Sequence, residues 1–372
     1  MNAALDAETL AMLDESMVRF ARTQYEFGQR RAWLGQGRGF SPERWRDYGE
    51  LGWLALALPA EHGGFGDDPR ATGRLMEYVG RSLALEPVFA SAVQCAHLLG
   101  EGADPRTEQW RAVIASGEQI LALAHAENPN DVDGSEVRTS LRNGRVTGEK
   151  RAVLHGDVAD RVLVSARDAD SGDVVIACVD PMAAGVAVKR LKLVDGRSAA
   201  EFCFAEAEAE AVIIAPDAAS RLAHTLDYAR LALCSEIYGA ASALQEATLE
   251  HLKTRRQFGR PLGANQALAH RMTDLHVLRE ELRAVIDTAE LAFDASSIER
   301  ARAVSATAAH ALTVARQTAH EAVQMHGGMG ITDELSASHY FRRLMVCTRL
   351  IGDREWHLAR FAAATSEAGD VA

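Results

Sequence analysis

The sequence predicts an α+β fold with three zones: an N-terminal helical domain, a central β-domain and a C-terminal helical bundle. Apolar residues recur at spacings of three and four up to about residue 119, and again from residue 215 onward. Over 120–214 the apolar period changes to two, which is typical of half-buried strands. Strands and helices do not alternate, so a parallel βαβ sheet is not indicated. The predicted domains are therefore 1–119, 120–214 and 215–372.

Four helices are predicted in the N-terminal zone, over 8–29, 41–56, 74–85 and 90–99. The second has a clear start signal, because Ser41 can cap it and Pro42 suits its first turn. The segment 58–66 contains one proline and three glycines, which predicts a break between helices.

Four strands are predicted in the central zone, over 146–150, 161–165, 174–179 and 201–204. Turns rich in Asp and Gly separate them, which favours a small antiparallel barrel or sandwich. In the C-terminal zone, long segments with helical periodicity predict a four-helix bundle. These segments are 218–254, 265–293, 298–326 and 336–350.

The composition excludes several classes of function. Lys and Arg number 40 against 52 Asp and Glu, so the formal net charge is −12. This argues against nucleic acid or an anionic membrane as the main partner, because both attract clustered cations. The five cysteines are dispersed without a CxxC pair, so neither a disulfide framework nor a metal site is predicted. With no apolar run long enough to span a membrane and no signal peptide at its start, we expect a cytoplasmic protein.

The loop TRRQFGRPLGANQ at 254–266, between the first two C-terminal helices, carries candidate ligand-binding residues. Arg255 offers a forked donor to a phosphate, and Phe258 offers an aromatic face for stacking or packing. The alternative is an ordinary helix end whose arginines offset the helix dipole.

The segment QMHGGMGIT at 324–332 follows the third long helix and has three glycines within four residues. A helix C-cap needs only one glycine. Clustered glycines let the backbone approach a flat or anionic ligand closely. Taken alone, this segment is compatible with either a ligand loop or an elaborate helix end.

Together with the stretch 45–66, the motifs RxQFG…Q and QxHGGxG resemble those of the acyl-CoA dehydrogenases, over residues 5–365. The resemblance implies FAD as cofactor, an acyl-CoA thioester as substrate and an electron-transfer flavoprotein as electron acceptor. In this family a carboxylate removes the α-proton while the β-hydride moves to the flavin. The thioester carbonyl must be hydrogen-bonded for this step, because an α-proton is only weakly acidic.

The resemblance implies two sets of FAD contacts, of which one is intact. The intact set reaches the diphosphate and adenosine of a neighbouring subunit's FAD, and consists of Arg255, Gln257, Phe258, Gln266, Gln324, Gly327 and Gly328. The set that flanks the subunit's own flavin ring is eroded. Ala152 stands where the family has an aromatic residue, and Leu154 stands where it has a hydroxyl. The loop 127–136 matches its family counterpart only loosely.

The family's catalytic base has no counterpart at its expected positions. The usual Glu corresponds to Ile351, and the earlier position used by some members corresponds to Ala229, so neither can accept a proton. Asp353 is the leading replacement, ahead of Glu355 and Glu236. Each has an ordinary structural alternative: an N-cap, a first-turn partner of the helix dipole and a helix-face residue, respectively.

This asymmetry resembles the small subunits of heteromeric pimeloyl-CoA-type and steroid side-chain acyl-CoA dehydrogenases. We therefore predict a heterodimer or heterotetramer in which a larger paralogous subunit supplies the base and FAD is shared at the interface. The alternatives are a self-sufficient homomeric flavoenzyme with Asp353 as base and a non-catalytic scaffold of the same fold. At the family's acyl pocket this chain has small residues that favour a bulky acyl chain: Ala90, Ser91, Ala232 and Ser235.

Overall fold

The computed structural model describes residues 5–35, 37–100, 105–128, 136–214 and 217–369. The chain forms two compact units, each assembled from segments that are distant in sequence. The first contains the described residues of Met1–Ala11, Arg30–Thr72 and Leu85–Ala229, and the second those of Met12–Gln29, Gly73–Ala84 and Arg230–Ala372. The order of helices, then strands, then helices confirms the predicted fold class. The predicted domain boundaries near residues 119 and 214 stay a prediction. The two compact units combine segments from different parts of the sequence, so they do not test where those boundaries lie.

The N-terminal zone is helical, as predicted, but the bounds of its elements differ from those that the periodicity indicated. Its helices are α1 (Ala7–Gln24), α2 (Phe27–Trp33), α3 (Pro42–Glu50), α4 (Pro69–Ser82), α5 (Ala96–Gly100) and α6 (Pro105–Ser116), with a π-helical segment Val88–Cys95 before α5. Ser41 caps α3 as predicted, and its Oγ accepts a hydrogen bond from the Arg44 N–H at 3.3 Å. The predicted helix 41–56 ends early because Gly52 has a φ of 74°, which a right-handed helix cannot contain.

The central zone is an open, mixed sheet, so the predicted antiparallel barrel or sandwich was wrong in detail. Its strands are β1 (Leu121–Ala124), β2 (Ser140–Arg142), β3 (Arg145–Leu154), β4 (Arg161–Asp168), β5 (Val174–Val179), β6 (Val186–Lys192), β7 (Ser198–Glu208) and β8 (Ala211–Ile214). They run in the order β6-β7-β3-β2-β4-β5-β8, with β1 also paired to β4. Both β1 and β2 lie parallel to β4. A parallel pairing needs a long connection, which leaves no hairpin signal in the sequence.

The C-terminal zone confirms the predicted helical bundle. Its helices are α7 (Ala218–Thr254), α8 (Gln266–Leu291), α9 (Ser297–His326), α10 (Ser336–Leu350) and α11 (Arg354–Gly369). Asn265 and Ser296 cap α8 and α9, because each side-chain oxygen accepts a backbone N–H of the first turn. A short hairpin, β9 (Arg256–Gln257) with β10 (Arg260–Pro261), connects α7 to α8.

Glu290, near the end of α8, is a buried acid whose charge is only partly compensated. A Cβ on Gly73 of α4 would lie 2.3 Å from its Oε1, and its Oε2 accepts from Arg283 Nη2 at 3.2 Å. Burial raises the pKa of Glu290 to about 7, and the positive charges of Arg283 and Arg74 reverse only part of this effect. The folded state therefore keeps a proton that the unfolded state has released, so the free energy of unfolding falls as the pH rises from 4.5 to about 7.

Replacing Glu290 by Gln should remove this pH dependence, because the amide stays neutral throughout. We expect Glu290→Gln to be about 1–3 kcal/mol more stable than the wild type at pH 8 and of similar stability at pH 5. Urea unfolding at the two pH values measures the difference. Asp287→Asn is the matched control, because it neutralises an exposed acid on the same arginine. Equal destabilisation of Glu290→Gln at both pH values would contradict a raised pKa.

Candidate functional site

The RxQFG motif forms a tight hairpin that presents an aromatic ring to solvent. Phe258 and Gly259 occupy its two turn positions with φ values of 52° and 82°, as in a type I′ turn. A bulky residue rarely adopts a positive φ. The Phe258 side chain is nevertheless 100% exposed. Within the described part of the chain, no residue therefore covers the ring that the strained turn presents.

Arg255 immediately precedes the hairpin and is exposed. Among the described residues its guanidinium makes no hydrogen bond or ion pair. The neighbouring Arg256 differs, because its Nη2 donates to the Gly259 carbonyl at 3.0 Å across the turn. Gln257 and Gln266 are also exposed, and Gln266 opens α8 directly after the Asn265 cap. The motif thus presents to solvent two amides and the Arg255 guanidinium, which has no partner among the described residues.

The glycines of the second motif have different structural reasons. Gly327 ends α9 with φ 63° and ψ −147°, a conformation essentially restricted to glycine. A Cβ on Gly327 or on Gly328 would meet nothing within 4 Å, so this backbone faces open space. A Cβ on Gly330 would instead lie 2.9 Å from the Val323 carbonyl oxygen. Gln324, on the last turn of α9, is exposed.

The structure brings the two motifs together. Leu252 of α7, Leu275 of α8 and Met325 of α9 form one buried apolar cluster, onto which Leu262, Leu268 and Met272 pack. Beside this cluster the rings of His251 and His326 stack, with centroids 4.5 Å apart and planes inclined by 27°. The arginine hairpin and the glycine bend therefore start from adjacent helix ends. Sequence reasoning missed both histidines, and no local pattern signals a contact between residues so far apart.

The positions predicted to flank a flavin ring lie on β3. Ala152 is exposed, with a φ of 53°, at a break in register between Lys150 and Val153. Leu154 is buried. A methyl group and a buried isobutyl group can neither stack on a flavin ring nor donate a hydrogen bond to it. Of the loosely matching loop 127–136, residues 129–135 lie outside the described residues.

Glu127, the first residue of that loop, has a structural role that sequence reasoning missed. The buried Lys150 Nζ donates to Glu127 Oε1 at 2.7 Å, to Ser165 Oγ at 3.0 Å and to the His125 carbonyl at 2.9 Å. Burial tends to raise the pKa of Glu127, but the hydrogen bonds from Lys150 and from the Thr139 N–H lower it below its ordinary value overall. Lys150 stands at an inward-facing position of the predicted strand 146–150, and a buried lysine indicates a nearby carboxylate partner.

The end of α10 carries the position of the usual base. Ile351 is 1% exposed and its N–H donates to the Cys347 carbonyl at 3.1 Å. Asp353 follows a glycine with a φ of 107°, and its Oδ1 accepts from the Trp356 N–H at 2.7 Å. Asp353 therefore serves as the N-cap of α11. Glu355 is exposed and pairs with Arg354 at 3.3 Å.

The alternative base position, Ala229, and the last candidate replacement, Glu236, both lie on α7. Ala229 is buried in the first unit. In the second unit, Glu236 and Arg343 are both fully buried, and Arg343 Nη1 lies 3.0 Å from Glu236 Oε1. Arg343 Nη2 also donates to the Ala84 carbonyl at 2.8 Å. Glu236 is thus committed to a buried ion pair. The roles of all these residues toward a cofactor or substrate stay predictions.

No described helix is both long enough and apolar enough to cross a membrane. Within the described ranges no group of three or more His, Cys, Asp or Glu residues could hold a metal ion.

Comparison with known proteins identifies the family. The model of the acyl-CoA dehydrogenase N-terminal domain matches residues 7–118, and that of the acyl-CoA dehydrogenase C-terminal domain matches residues 220–365. The chain belongs to the acyl-CoA dehydrogenase family, as its motifs predicted.

Among sequence relatives, acyl-CoA dehydrogenase IpdE2 of Mycolicibacterium smegmatis is 28% identical over 337 residues, which cover 90% of this chain and 91% of that protein. Acyl-CoA dehydrogenase FadE27 of Mycobacterium tuberculosis is 29% identical over 318 residues, covering 81% and 82%. Among solved structures, a variant of the Tcur3481–Tcur3483 steroid ACAD superposes with a TM-score of 0.88 at 26% identity, covering 98% of this chain and 99% of that one. The ChsE4–ChsE5 complex of Mycobacterium tuberculosis shares the fold, with a TM-score of 0.88 at 24% identity and 98% of each chain covered.

Two glycine substitutions test the geometry of the bend. Gly327→Ala should destabilise the protein by about 1–3 kcal/mol, because an alanine is strained at this φ and ψ. Gly328→Ala should change stability by less than about 0.5 kcal/mol, because its backbone is unstrained and its surroundings are open. Thermal unfolding followed by circular dichroism compares the two variants. Indistinguishable melting temperatures would contradict the assignment of strain to Gly327.

Proposed function

We propose that this chain is one subunit of a heteromeric FAD-dependent acyl-CoA dehydrogenase and that it completes the cofactor site of a paralogous partner subunit. The proposed reaction is α,β-dehydrogenation of an acyl-CoA thioester, with electrons passing to an electron-transfer flavoprotein. The observation that carries the proposal is the uncommitted Arg255 guanidinium beside an open glycine bend. The same surface presents Phe258 on a strained turn, and its ring is fully exposed with respect to the described residues.

This surface fits the diphosphate and adenosine end of FAD. A guanidinium can donate two parallel hydrogen bonds to phosphate oxygens. The backbone at Gly327 and Gly328 leaves open space that a side chain would fill, so a ligand can approach it closely. Phe258 offers an aromatic face, and three exposed amides, Gln257, Gln266 and Gln324, can both donate and accept hydrogen bonds.

The other half of a flavin site is not supported in this chain. Ala152 and Leu154 do not fit an isoalloxazine ring, for the reasons given above. When bound, FAD supplies the hydride acceptor of the reaction. The residues of this chain would hold that cofactor by its diphosphate and adenosine, while the partner would surround the ring and supply the base. A buried Ile351 also excludes a base from the usual position in this chain.

The relatives support an assembly of this kind. Two of the similar structures are pairs of differently named chains, Tcur3481–Tcur3483 and ChsE4–ChsE5, and the first is described as a steroid ACAD. We further propose that the substrate of this chain's complex is bulky, such as a steroid side-chain or dicarboxylic acyl-CoA. The small residues Ala90, Ser91, Ala232 and Ser235 are consistent with that choice.

A self-sufficient homomeric enzyme is the second candidate, and Asp353 is the observation that favours it. Its Oδ1 caps α11, but its side chain is exposed and lies two residues after the usual base position. Asn caps a helix as well as Asp does, so Asp353→Asn removes the proton acceptor while preserving the fold. This candidate requires the purified chain to be yellow and Asp353→Asn to lose turnover. The proposed function requires the chain alone to lack stoichiometric flavin.

Arg255→Ala tests the proposed role directly in the purified complex with the partner subunit. Loss of a paired contact between arginine and phosphate should weaken FAD binding by about 1.5–3 kcal/mol, or roughly ten- to hundredfold. Flavin absorbance after gel filtration, and titration of the apo-complex with FAD, measure this loss. Arg256→Ala is the matched control, because it removes the same charge from a residue whose guanidinium bonds to its own turn.

We expect the Arg256→Ala complex to bind FAD within about threefold of the wild type, since only long-range attraction is lost. Unchanged flavin content in Arg255→Ala would favour the third candidate, a non-catalytic scaffold, and would refute the proposed function.

A further inference from the structure

The rings of His251 and His326 stack on each other between the ends of α7 and α9. His326 is the last residue of α9 and is buried, and its Nδ1–H donates to the Ala322 carbonyl at 2.8 Å. A carbonyl can only accept, so this contact places a proton on Nδ1. His251 is half-buried, and so remains in contact with solvent.

This stack stands directly behind both parts of the proposed diphosphate surface. The Arg255 N–H donates to the His251 carbonyl at 2.8 Å, so the last turn of α7 leads straight into the arginine hairpin. His326 is followed at once by Gly327 and Gly328. The relative position of the hairpin and the bend therefore depends on the two imidazole rings and on the apolar cluster beside them.

A proton taken up by this stack would add positive charge next to groups that are themselves positive. The pKa of His251 lies below its ordinary value, first because of burial and then because of the nearby charges of His326 and Arg255. On α8, Leu268, Met272 and Leu275 belong to the apolar cluster beside the stack. The charged groups that act on His251 are thus both positive. An anion placed over Arg255 would reverse this balance and favour the imidazolium form.

We propose that His251 and His326 are positioning residues of the diphosphate surface and that His251, stacked on His326, takes up a proton when the cofactor's diphosphate binds. This inference rests on the proposed function and adds a proton-linked control of the same site. The step is a proton transfer: an N–H bond forms on the His251 imidazole, and the buffer acid or hydronium ion that donates the proton loses it. Because the bound state holds the additional proton, cofactor affinity should fall as the pH rises through the pKa of His251 in the complex with cofactor.

Calorimetric titration of FAD into the apo-complex with its partner subunit tests this inference, in phosphate-free buffers of different ionisation enthalpy at pH 6, 7 and 8. We expect net proton uptake at pH 7 and binding that is up to about tenfold tighter at pH 6 than at pH 8, the equivalent of a one-unit change in pKa. His251→Tyr keeps a ring for the stack but removes titration in this range. The variant should lose the dependence of FAD affinity on pH between pH 6 and 8.

His251→Phe provides a second variant of the same kind should the tyrosine hydroxyl disturb folding, which circular dichroism checks in advance. His276→Tyr is the control, because it removes an exposed histidine that interacts with Arg279 and Glu280 on α8. It should keep the proton uptake of the wild type.

Two results would overturn the inference while leaving the proposed function intact. One is FAD binding by the wild type that takes up no protons and does not vary with pH. The other is a His251→Tyr complex that retains the full pH dependence. Failure of the wild-type complex to bind FAD, or full binding by Arg255→Ala, would instead overturn the proposed function itself.

Discussion

A buried ion pair between Glu236 and Arg343 fixes the framework of the second unit. Both side chains are fully buried, and Arg343 also donates to the Ala84 carbonyl just after α4. One guanidinium thus connects α10 to α7 and to the end of α4. Removing either partner would leave an uncompensated buried charge, which typically costs about 3–5 kcal/mol. The α4–α7 crossing is equally constrained, because a Cβ on Gly80 would lie 2.1 Å from the Glu236 carbonyl oxygen.

This framework decides what chemistry the end of α10 can perform. With α10 held in place, Ile351 is buried and Asp353 sits at the start of α11 as its cap. Glu236 is bound to Arg343 and so has an internal role. Each of these positions is accounted for by the fold. The opposite holds at the ends of α7 and α9, where the side chains of Arg255 and Phe258 are exposed to solvent.

Local signals predicted much of this structure, and non-local contacts limited the rest. The caps of α3 and α8 follow from Ser41 and Asn265, whose side chains bond to backbone within three residues. The mixed sheet could not be predicted, because β1 pairs with β4 far along the chain. The Lys150–Glu127 pair was missed for the same reason, since its partners are 23 residues apart.

The candidate site shows the same division between local and distant information. Arginine and glycine patterns identified the hairpin and the bend, because chain conformation there depends on the residues themselves. That the two loops start from adjacent helix ends depends on His251 and His326, whose stacking no local pattern could reveal. Under the proposed function these loops contact a cofactor held partly by a second chain, and a single sequence carries only indirect information about that chain.

The exposed surface links cofactor binding to assembly under the proposed function. Phe258 is 100% exposed, Ile331 is 75% exposed and Met329 is 47% exposed, all on the same pair of loops. Burying a side chain of this size contributes about 1.5–3 kcal/mol, which is available only when a partner covers it. A cofactor held by both chains would add its own contacts to that interface. Because such coupling is reciprocal, the factor by which bound cofactor strengthens subunit association equals the factor by which subunit association strengthens cofactor binding.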